Sequence, residues 1–268
     1  MNTISTAPAA PRPGVHGHAT TALLLCLGAA SGCSTLPTAS RFGEAAVTAA
    51  SDPWVWAPLA GAAGLQVSDA DRRISRWARR ETPLFGSQSG ATRWSDDLRS
   101  VAVVADAATV LLAPTDATGS DWVLTKGRDY AIDLVAATAA IETTHVLKGT
   151  AHRSRPSGVD DQSFPSGHAT TAAVYDREAE LRLASLDLGH GTQQALGYSL
   201  EAVTLGTAWA RVEAGAHYPS DTLVGMAIGH FSARFFEAAF ARPDGTPATR
   251  VFVSPTRGGL ALNWSAAF

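Results

Sequence analysis

The chain has 268 residues, of which 46% are hydrophobic and 17% are charged, so it is too apolar for a disordered protein and can bury the core of one domain. Lys and Arg total 21 against 24 Asp and Glu, and this net charge of -3 excludes a general nucleic-acid-binding protein, which needs a basic excess. The two cysteines, Cys26 and Cys33, are too few for a disulfide framework or a cysteine-based zinc site.

The first residues have the order of a bacterial export signal. One formal charge is followed by an apolar run at 20–30 and by small residues before Cys33. The run is about half of the roughly 20 residues that cross a bilayer, so we predict a signal peptide over 1–32 and no permanent transmembrane anchor. The small-small-cysteine ending resembles a bacterial lipobox, in which Cys33 carries the lipid, although Ala30 lies where Leu is usual. Ordinary secretion, with cleavage near Ala30 and a free Cys33 thiol, is the alternative.

After the signal, the composition predicts a tether and then a helical domain. Residues 33–67 are rich in Ala, Ser, Thr, Pro and Gly and have few charges, which is typical of a linker. From Ser68 onward, hydrophobic residues recur at helical spacing, and this periodicity predicts helices at 68–80, 96–112, 129–147, 168–186, 192–210 and 219–240.

The six segments indicate an all-α domain over 68–242, built as a single helical bundle. Charged residues interrupt each apolar segment, which favours a soluble bundle over membrane spans. Strand-like alternation on both sides of a Gly-Gly pair predicts a short β-hairpin in the C-terminal tail, 243–268.

Three segments with fixed spacing collect cationic, hydroxyl and imidazole side chains at predicted helix boundaries. Their residues are Lys148 and Arg155, then the Pro-Ser-Gly-His sequence with Ser166, Gly167 and His168, then Arg211, His217 and Asp221. Taken singly, each segment has a structural explanation: cations at a helix C-terminus, a helix N-cap, or a surface His–Asp pair. All three patterns together, in this order, favour a shared chemical role.

The residue types suit phosphoryl transfer. A phosphoryl group in transit spreads negative charge over three oxygens, so its catalysis is mainly positioning and charge stabilisation. Lys148, Arg155 and Arg211 would supply the cations. Ser166 and Gly167 open a helix whose N–H groups and dipole favour an anion, and we expect them to act as oxyanion donors.

The third segment predicts an oriented histidine. Asp221 falls about one helical turn beyond His217, so we expect its carboxylate to hydrogen-bond the ring and raise the basicity of the other nitrogen. The acidic pairs that would hold a divalent ion are missing from these motifs, and neither a metal nor another cofactor is predicted.

Together the motifs resemble the three-part signature of the type 2 phosphatidic acid phosphatase superfamily, which also covers bacterial acid phosphatases and vanadium haloperoxidases. The resemblance extends over about 129–240, with one departure: Ala210 lies where the family usually has Ser. It implies that His217 is the nucleophile that forms a phosphohistidine. It also implies that His168 protonates the leaving alkoxide and then helps to activate water.

The sequence therefore predicts a metal-independent phosphatase of phosphomonoesters or lipid pyrophosphates on the periplasmic face of a bacterial envelope. Its partners would be the phosphorylated substrate and, through Cys33, a membrane. The uncharged Ser34 predicts transport to the outer membrane, by analogy with bacterial lipoproteins. Two alternatives stay open: a vanadium-dependent haloperoxidase with His217 as the vanadate ligand, and a non-catalytic envelope lipoprotein.

Overall fold

The structure is a computed structural model that describes residues 37–240, 249–256 and 259–266. Within these residues the helices are α1 (Ala39–Ala50), α2 (Pro53–Val67), α3 (Ala70–Glu81), α4 (Gln88–Leu112), α5 (Ser120–Ala151), α6 (Gly167–Leu183), α7 (His190–Glu213) and α8 (Pro219–Phe240). Two antiparallel strands follow, β1 (Thr249–Thr256) and β2 (Gly259–Ala266), with Thr249 opposite Ala266. The helical class is as predicted, but the described chain has eight helices where six are predicted. Among these helices, none has the length and apolar character needed to cross a membrane.

The two additional helices lie where the composition predicts a tether, and the prediction of a tether over 33–67 is wrong from Ala39 onward. Both helices have regular starts. The Thr38 hydroxyl accepts a hydrogen bond from the backbone of Arg41, and the Asp52 carboxylate accepts one from the backbone of Trp54. Such caps satisfy N–H groups that have no partner inside the helix.

Small residues in α1 and α2 serve packing and not linker flexibility. Both helices pack on α8, where Ala45, Ala49 and Ala62 are buried. A Cβ atom at Gly61 would lie 3.3 Å from Leu223 of α8, so the two helices approach closely there. The bundle therefore includes the segment from Ala39, and does not begin near Ser68.

Helix α6 is the central helix of the bundle. It packs against α4, α5, α7 and α8, and nearly all of its residues from Ala169 to Ala179 are buried. Two glycines of α8 allow the closest contact: a Cβ atom at Gly225 or Gly229 would lie 2.6 Å from a backbone carbonyl oxygen at the start of α6. This contact fixes the N-terminus of α6, which carries the second motif, against α8, which carries the third.

Charged residues are buried along α6. Arg182 donates to the carboxylates of Asp106 on α4 and Asp133 on α5, and Glu178 lies 3.9 Å from the same guanidinium. Nearby, the Asp176 carboxylate accepts a hydrogen bond from Thr204 on α7. Burial raises the pKa of Asp176 to about 7, because an ionised carboxylate is costly away from water.

We predict that Asp176→Asn changes how stability depends on pH. The pKa of Asp176 is raised from 3.8 to about 7 in the folded protein. Between these values the folded state keeps a proton that the unfolded chain releases, so wild-type stability falls as the pH rises from about 4 to about 7. The Asn variant does not ionise. Its free energy of unfolding relative to wild type should therefore increase over this range.

Urea unfolding at pH 4.5 and at pH 8 measures the effect. Asp187→Asn, which removes an exposed carboxylate, controls for the loss of one charge. The prediction would be contradicted if the free energies of unfolding of Asp176→Asn and wild type differed by the same amount at both pH values.

Candidate active site

Helix ends bring the three motifs together at one region of the bundle. Lys148 lies in the last turn of α5, and Arg155 follows in the loop before α6. Ser166 caps α6, and Gly167 and His168 are its first residues. Arg211 lies in the last turn of α7, His217 in the loop before α8, and Asp221 in the first turn of α8. The three motifs therefore meet where helix ends and the connections 152–166 and 214–218 come together.

His217 is buried and its ring is oriented by a backbone carbonyl. The side chain is 2% exposed, and its Nδ1 lies 2.5 Å from the carbonyl oxygen of Ser163. A carbonyl oxygen can only accept, so Nδ1 carries the proton and Nε2 carries the lone pair. Burial, followed by the nearby charges of Lys148 and Arg211, holds the pKa of His217 well below its ordinary value of 6.5. The imidazole is therefore neutral at neutral pH.

The expectation that Asp221 hydrogen-bonds the ring of His217 is wrong, because the Ser163 carbonyl occupies that position. The buried Asp221 carboxylate instead accepts hydrogen bonds from the Ser163 hydroxyl at 2.6 Å, from the backbone N–H of Tyr218 at 2.8 Å, and from Arg153. Asp221 therefore contacts Ser163, and the carbonyl oxygen of Ser163 in turn contacts the ring of His217.

Two of the three predicted cations have only neutral partners among the described residues. Lys148 donates to the carbonyl oxygens of Pro165 and Gln162, at 2.6 and 2.7 Å. Burial, followed by the charge of Arg155, lowers its pKa to about 8. Arg211 donates to the Ser95 hydroxyl at 3.3 Å, and its buried Nε has no partner in this part of the chain. Burial and Arg155 lower its pKa to about 10.

The third cation, Arg155, is partly neutralised. It donates to the carboxylate of Asp160 at 2.6 Å and to the carbonyl oxygen of Ala216, the residue before His217, at 3.1 Å. The mutual repulsion that lowers the pKa values of Lys148 and Arg211 would be relieved by an anion bound between the three groups. The arrangement is suited to a phosphate.

The start of α6 agrees with the prediction in part. The buried Ser166 is the N-cap, and its hydroxyl accepts from the backbone of Ala169. Its own backbone N–H donates to the carbonyl oxygen of Asp221 at 3.0 Å, so Ser166 is not the backbone oxyanion donor that the sequence predicts. Helix geometry leaves the N–H groups of Gly167 and His168 without intrahelical partners, and these remain suited to an anion.

His168 has a partner that the sequence analysis missed. Its Nε2 lies 2.8 Å from the carboxylate of Asp96 in α4. A carboxylate accepts, so Nε2 carries a proton and Nδ1 is the nitrogen that gains or loses one. Burial, followed by the charge of Arg211, lowers the pKa of His168 to about 4. Asp96 lies 72 residues before His168 and outside every motif, so spacing gave no signal for it.

Arg153 and Asp71 form a second contact that the sequence analysis missed. Arg153 donates to Asp71 of α3 at 2.7 Å and to Asp221, and its guanidinium lies 4.3 Å from the centre of the Tyr218 ring. Asp71 also accepts from the backbone N–H of Ser220 at 2.8 Å. Helix α3 is thereby joined to the first and third motifs.

A cavity of about 560 Å³ lies beside this second contact, lined in part by Gln66, Asp71, Arg72, Arg153 and Phe164. None of the predicted phosphate-site or catalytic residues lines it. The cations and histidines therefore mark the candidate site, and this cavity does not.

Residues 130–242 match the family model of the PAP2 superfamily, which includes all three motifs. This PAP2 segment, 130–242, is similar to the PAP2 superfamily. The resemblance of the three motifs to the type 2 phosphatidic acid phosphatases is confirmed.

Two relatives of the PAP2 segment are lipid A 1-phosphatases. The one from Rhizobium johnstonii is 34% identical over 100 residues, which are 34% of this chain and 37% of the relative. The one from Rhizobium etli is 33% identical over 100 residues, or 34% and 39% of the two chains. The chain therefore aligns with less than two fifths of the length of either relative.

The fold is similar to the crystal structure of a transmembrane PAP2-type phosphatidylglycerolphosphate phosphatase from Bacillus subtilis. The TM-score is 0.51 at 22% identity, and the match covers 69% of this chain and 92% of that one. This similarity supports the shared helical fold. The predicted signal peptide at 1–32 and the predicted lipidation site Cys33 lie outside the described residues.

Proposed function

We propose that the protein hydrolyses phosphate esters through a covalent phosphohistidine on His217, and that its substrates are phosphomonoesters or lipid (pyro)phosphates. One observation carries the proposal: the Ser163 carbonyl leaves the lone pair of the buried His217 ring on Nε2, beside Lys148 and Arg211. A neutral imidazole with a fixed tautomer is a competent nucleophile, and the cations stabilise the negative charge that moves during transfer.

The proposed first step transfers the phosphoryl group to the protein. Lys148, Arg155, Arg211 and the N-terminus of α6 hold the phosphate oxygens, and Nε2 of His217 attacks phosphorus. The bond between phosphorus and the ester oxygen breaks, and Nδ1–H of His168 gives its proton to the leaving alkoxide. In the second step water attacks the phosphohistidine and gives a proton to His168. Inorganic phosphate leaves, and His217 is regenerated.

Substrate binding favours the protonated form of His168 that this mechanism needs. Without an anion, burial and Arg211 lower the pKa of His168 to about 4. A bound phosphate dianion offsets the charge of Arg211 and favours the protonated ring, so the pKa of His168 rises when substrate is present. Asp96 then faces a cationic imidazolium, which strengthens their contact.

The class of substrate is inferred from the relatives. Both Rhizobium proteins are named for the 1-phosphate of lipid A, a phosphate carried by a lipid. We extend this class to the present chain, and with it a location at the envelope membrane.

We predict that His217→Ala abolishes phosphate release while the fold is retained. The loss should be at least about 10³-fold, because a nucleophile has no substitute in the site. Release of p-nitrophenol from its phosphate ester, in the presence of EDTA, measures the activity, and circular dichroism checks the fold. His190→Ala, at an exposed histidine in the first turn of α7, should keep full activity. Unchanged turnover by His217→Ala would contradict the covalent mechanism, and wild-type activity that EDTA abolishes and a divalent metal restores would contradict metal independence.

The roles of His168 and Asp96 predict a dependence on the leaving group. His168→Ala should lose about 10²–10⁴ in rate on alkyl phosphates, whose leaving group needs a proton, and much less on p-nitrophenyl phosphate. Asp96→Asn should show a smaller loss with the same preference, whereas Asp97→Asn, at the adjacent exposed carboxylate, should not. A comparison of kcat on the two ester types tests both. If His168→Ala lost kcat equally on alkyl and aryl esters, His168 would not be the acid. The same result for Asp96→Asn would assign Asp96 a structural role only.

We also propose that the chain is exported and that Cys33 carries a lipid, which would make the protein an outer-membrane lipoprotein facing the periplasm. Several acyl chains, at about 0.8 kcal/mol for each buried methylene, give stable anchoring. Wild type should therefore need detergent for release from membranes, whereas Cys33→Ser should be released by a high-salt wash and keep activity on soluble esters. Release of the wild type by salt alone would show that Cys33 is not lipidated.

A further inference from the structure

Helix α3 presents an exposed face of arginines. Five of its twelve residues are Arg. At 3.6 residues per turn, four of these arginines and one tryptophan lie within an arc of about 140° on the helix. This arginine face of α3 consists of Arg72, Arg73, Arg76, Trp77 and Arg80. The opposite side of the helix, with Asp71, Ser75 and Ala78, is buried against the bundle.

The arginine face has almost no counter-charge on the protein. Arg72, Arg73 and Arg76 are exposed and form no ion pair within the described part of the chain. Arg80 contacts only its exposed neighbour Glu81, at 2.8 Å. Surface arginines that are left unpaired in a chain with a net charge of -3 are available to an external anion.

Apolar side chains flank the arginine face. Trp77 is 45% exposed. Leu84, after the end of α3, is 68% exposed, and Trp94, near the start of α4, is 51% exposed. The buried carboxylate of Glu213 fixes the loop that carries Leu84, because it accepts the backbone N–H groups of Leu84 and Phe85 at 3.0 and 3.1 Å. The backbone at Leu84 therefore occupies a fixed position.

This surface is continuous with the candidate active site. Arg79 of α3 donates to the carbonyl oxygen of Pro156, the residue after the phosphate-site Arg155. Trp94 immediately precedes Ser95, which contacts Arg211. On the α7 side, the Trp77 ring lies 6.1 Å from that of Trp209, two residues before Arg211. A surface that held α3 and Trp94 would lie beside the candidate site.

We propose that the arginine face of α3, together with Leu84 and Trp94, docks the protein on an anionic lipid bilayer. Guanidinium groups bind headgroup phosphates through charge-assisted hydrogen bonds, and each basic side chain near such a surface adds to the attraction. Indoles and leucine enter the boundary between headgroups and acyl chains. The combination favours a bilayer over a nucleic acid, which would leave the exposed apolar groups in water.

Co-sedimentation with lipid vesicles tests the docking surface. The full chain carrying Cys33→Ser, made by cell-free synthesis so that no lipid is attached, is mixed with vesicles of phosphatidylcholine alone or with added phosphatidylglycerol. Both lipids are phosphodiesters, so binding is measured without a phosphomonoester substrate. We expect binding to the anionic vesicles that weakens as salt increases, and much weaker binding to phosphatidylcholine alone.

Variants assign the binding to α3. Arg73→Gln combined with Arg76→Gln should lower the partition coefficient on anionic vesicles by about tenfold or more. Gln194→Glu combined with Ser199→Glu, at exposed positions near the start of α7, makes the same change in net charge and should have little effect. Leu84→Ser should weaken binding at low and at high salt alike. Every variant carries the same residues 1–32, so differences in vesicle binding arise from the substituted residues.

Several results would overturn the proposal. These are equal vesicle binding by the arginine double variant and its parent, an equal loss in the α7 control, and binding to a DNA duplex with none to anionic vesicles. Hydrolysis of p-nitrophenyl phosphate by the double variant should stay at the parent level, because neither arginine touches the phosphate site. Failure of docking is thus distinguishable from failure of the proposed phosphatase activity.

Discussion

The geometry of the candidate site depends on the buried carboxylate of Asp221. It accepts hydrogen bonds from three segments: the Ser163 hydroxyl before α6, the Tyr218 backbone before α8, and the Arg153 guanidinium after α5. A buried carboxylate is costly unless it is hydrogen-bonded, so these donors are held firmly in place. Through Ser163 the same interaction fixes the ring of His217, and through Arg153 it reaches α3.

Buried charges are used in two different ways in this fold. Within the bundle, Arg182 meets Asp106 and Asp133, and Arg177 meets Asp52, so these two cations have carboxylate partners. At the site, Lys148 and Arg211 meet only carbonyl and hydroxyl oxygens among the described residues. Compensated pairs join neighbouring helices, whereas cations without a carboxylate lower one another's pKa and favour a bound anion. This difference separates the candidate site from the structural ion pairs.

The parts of the structure that were predictable from the sequence are those encoded by local pattern. Helical periodicity identifies α3 to α8, and fixed spacing identifies the cations and histidines at their ends. Helices α1 and α2 were not predictable in this way, because alanine and glycine serve a linker and a close helix contact equally well, and only the position of α8 distinguishes the two. The pairs Asp96–His168 and Asp71–Arg153 join residues 72 and 82 positions apart, and no local pattern encodes them. Spacing predicts Asp221 one helical turn beyond His217, but the contact of Asp221 with Ser163 depends on the path of the loop before α6.

The central claim is that Nε2 of His217 is the nucleophile that bonds to phosphorus. Trapping the phosphohistidine intermediate tests this claim most directly. A lipid monophosphate or p-nitrophenyl phosphate labelled at phosphorus is mixed with the full chain and quenched in alkali, which preserves phosphohistidine, and the peptides are then analysed by mass spectrometry. The account predicts an acid-labile phosphate on the peptide that contains His217, formed and lost at rates consistent with turnover. Steady turnover with no phosphate on His217, or with the phosphate on another residue, would contradict it.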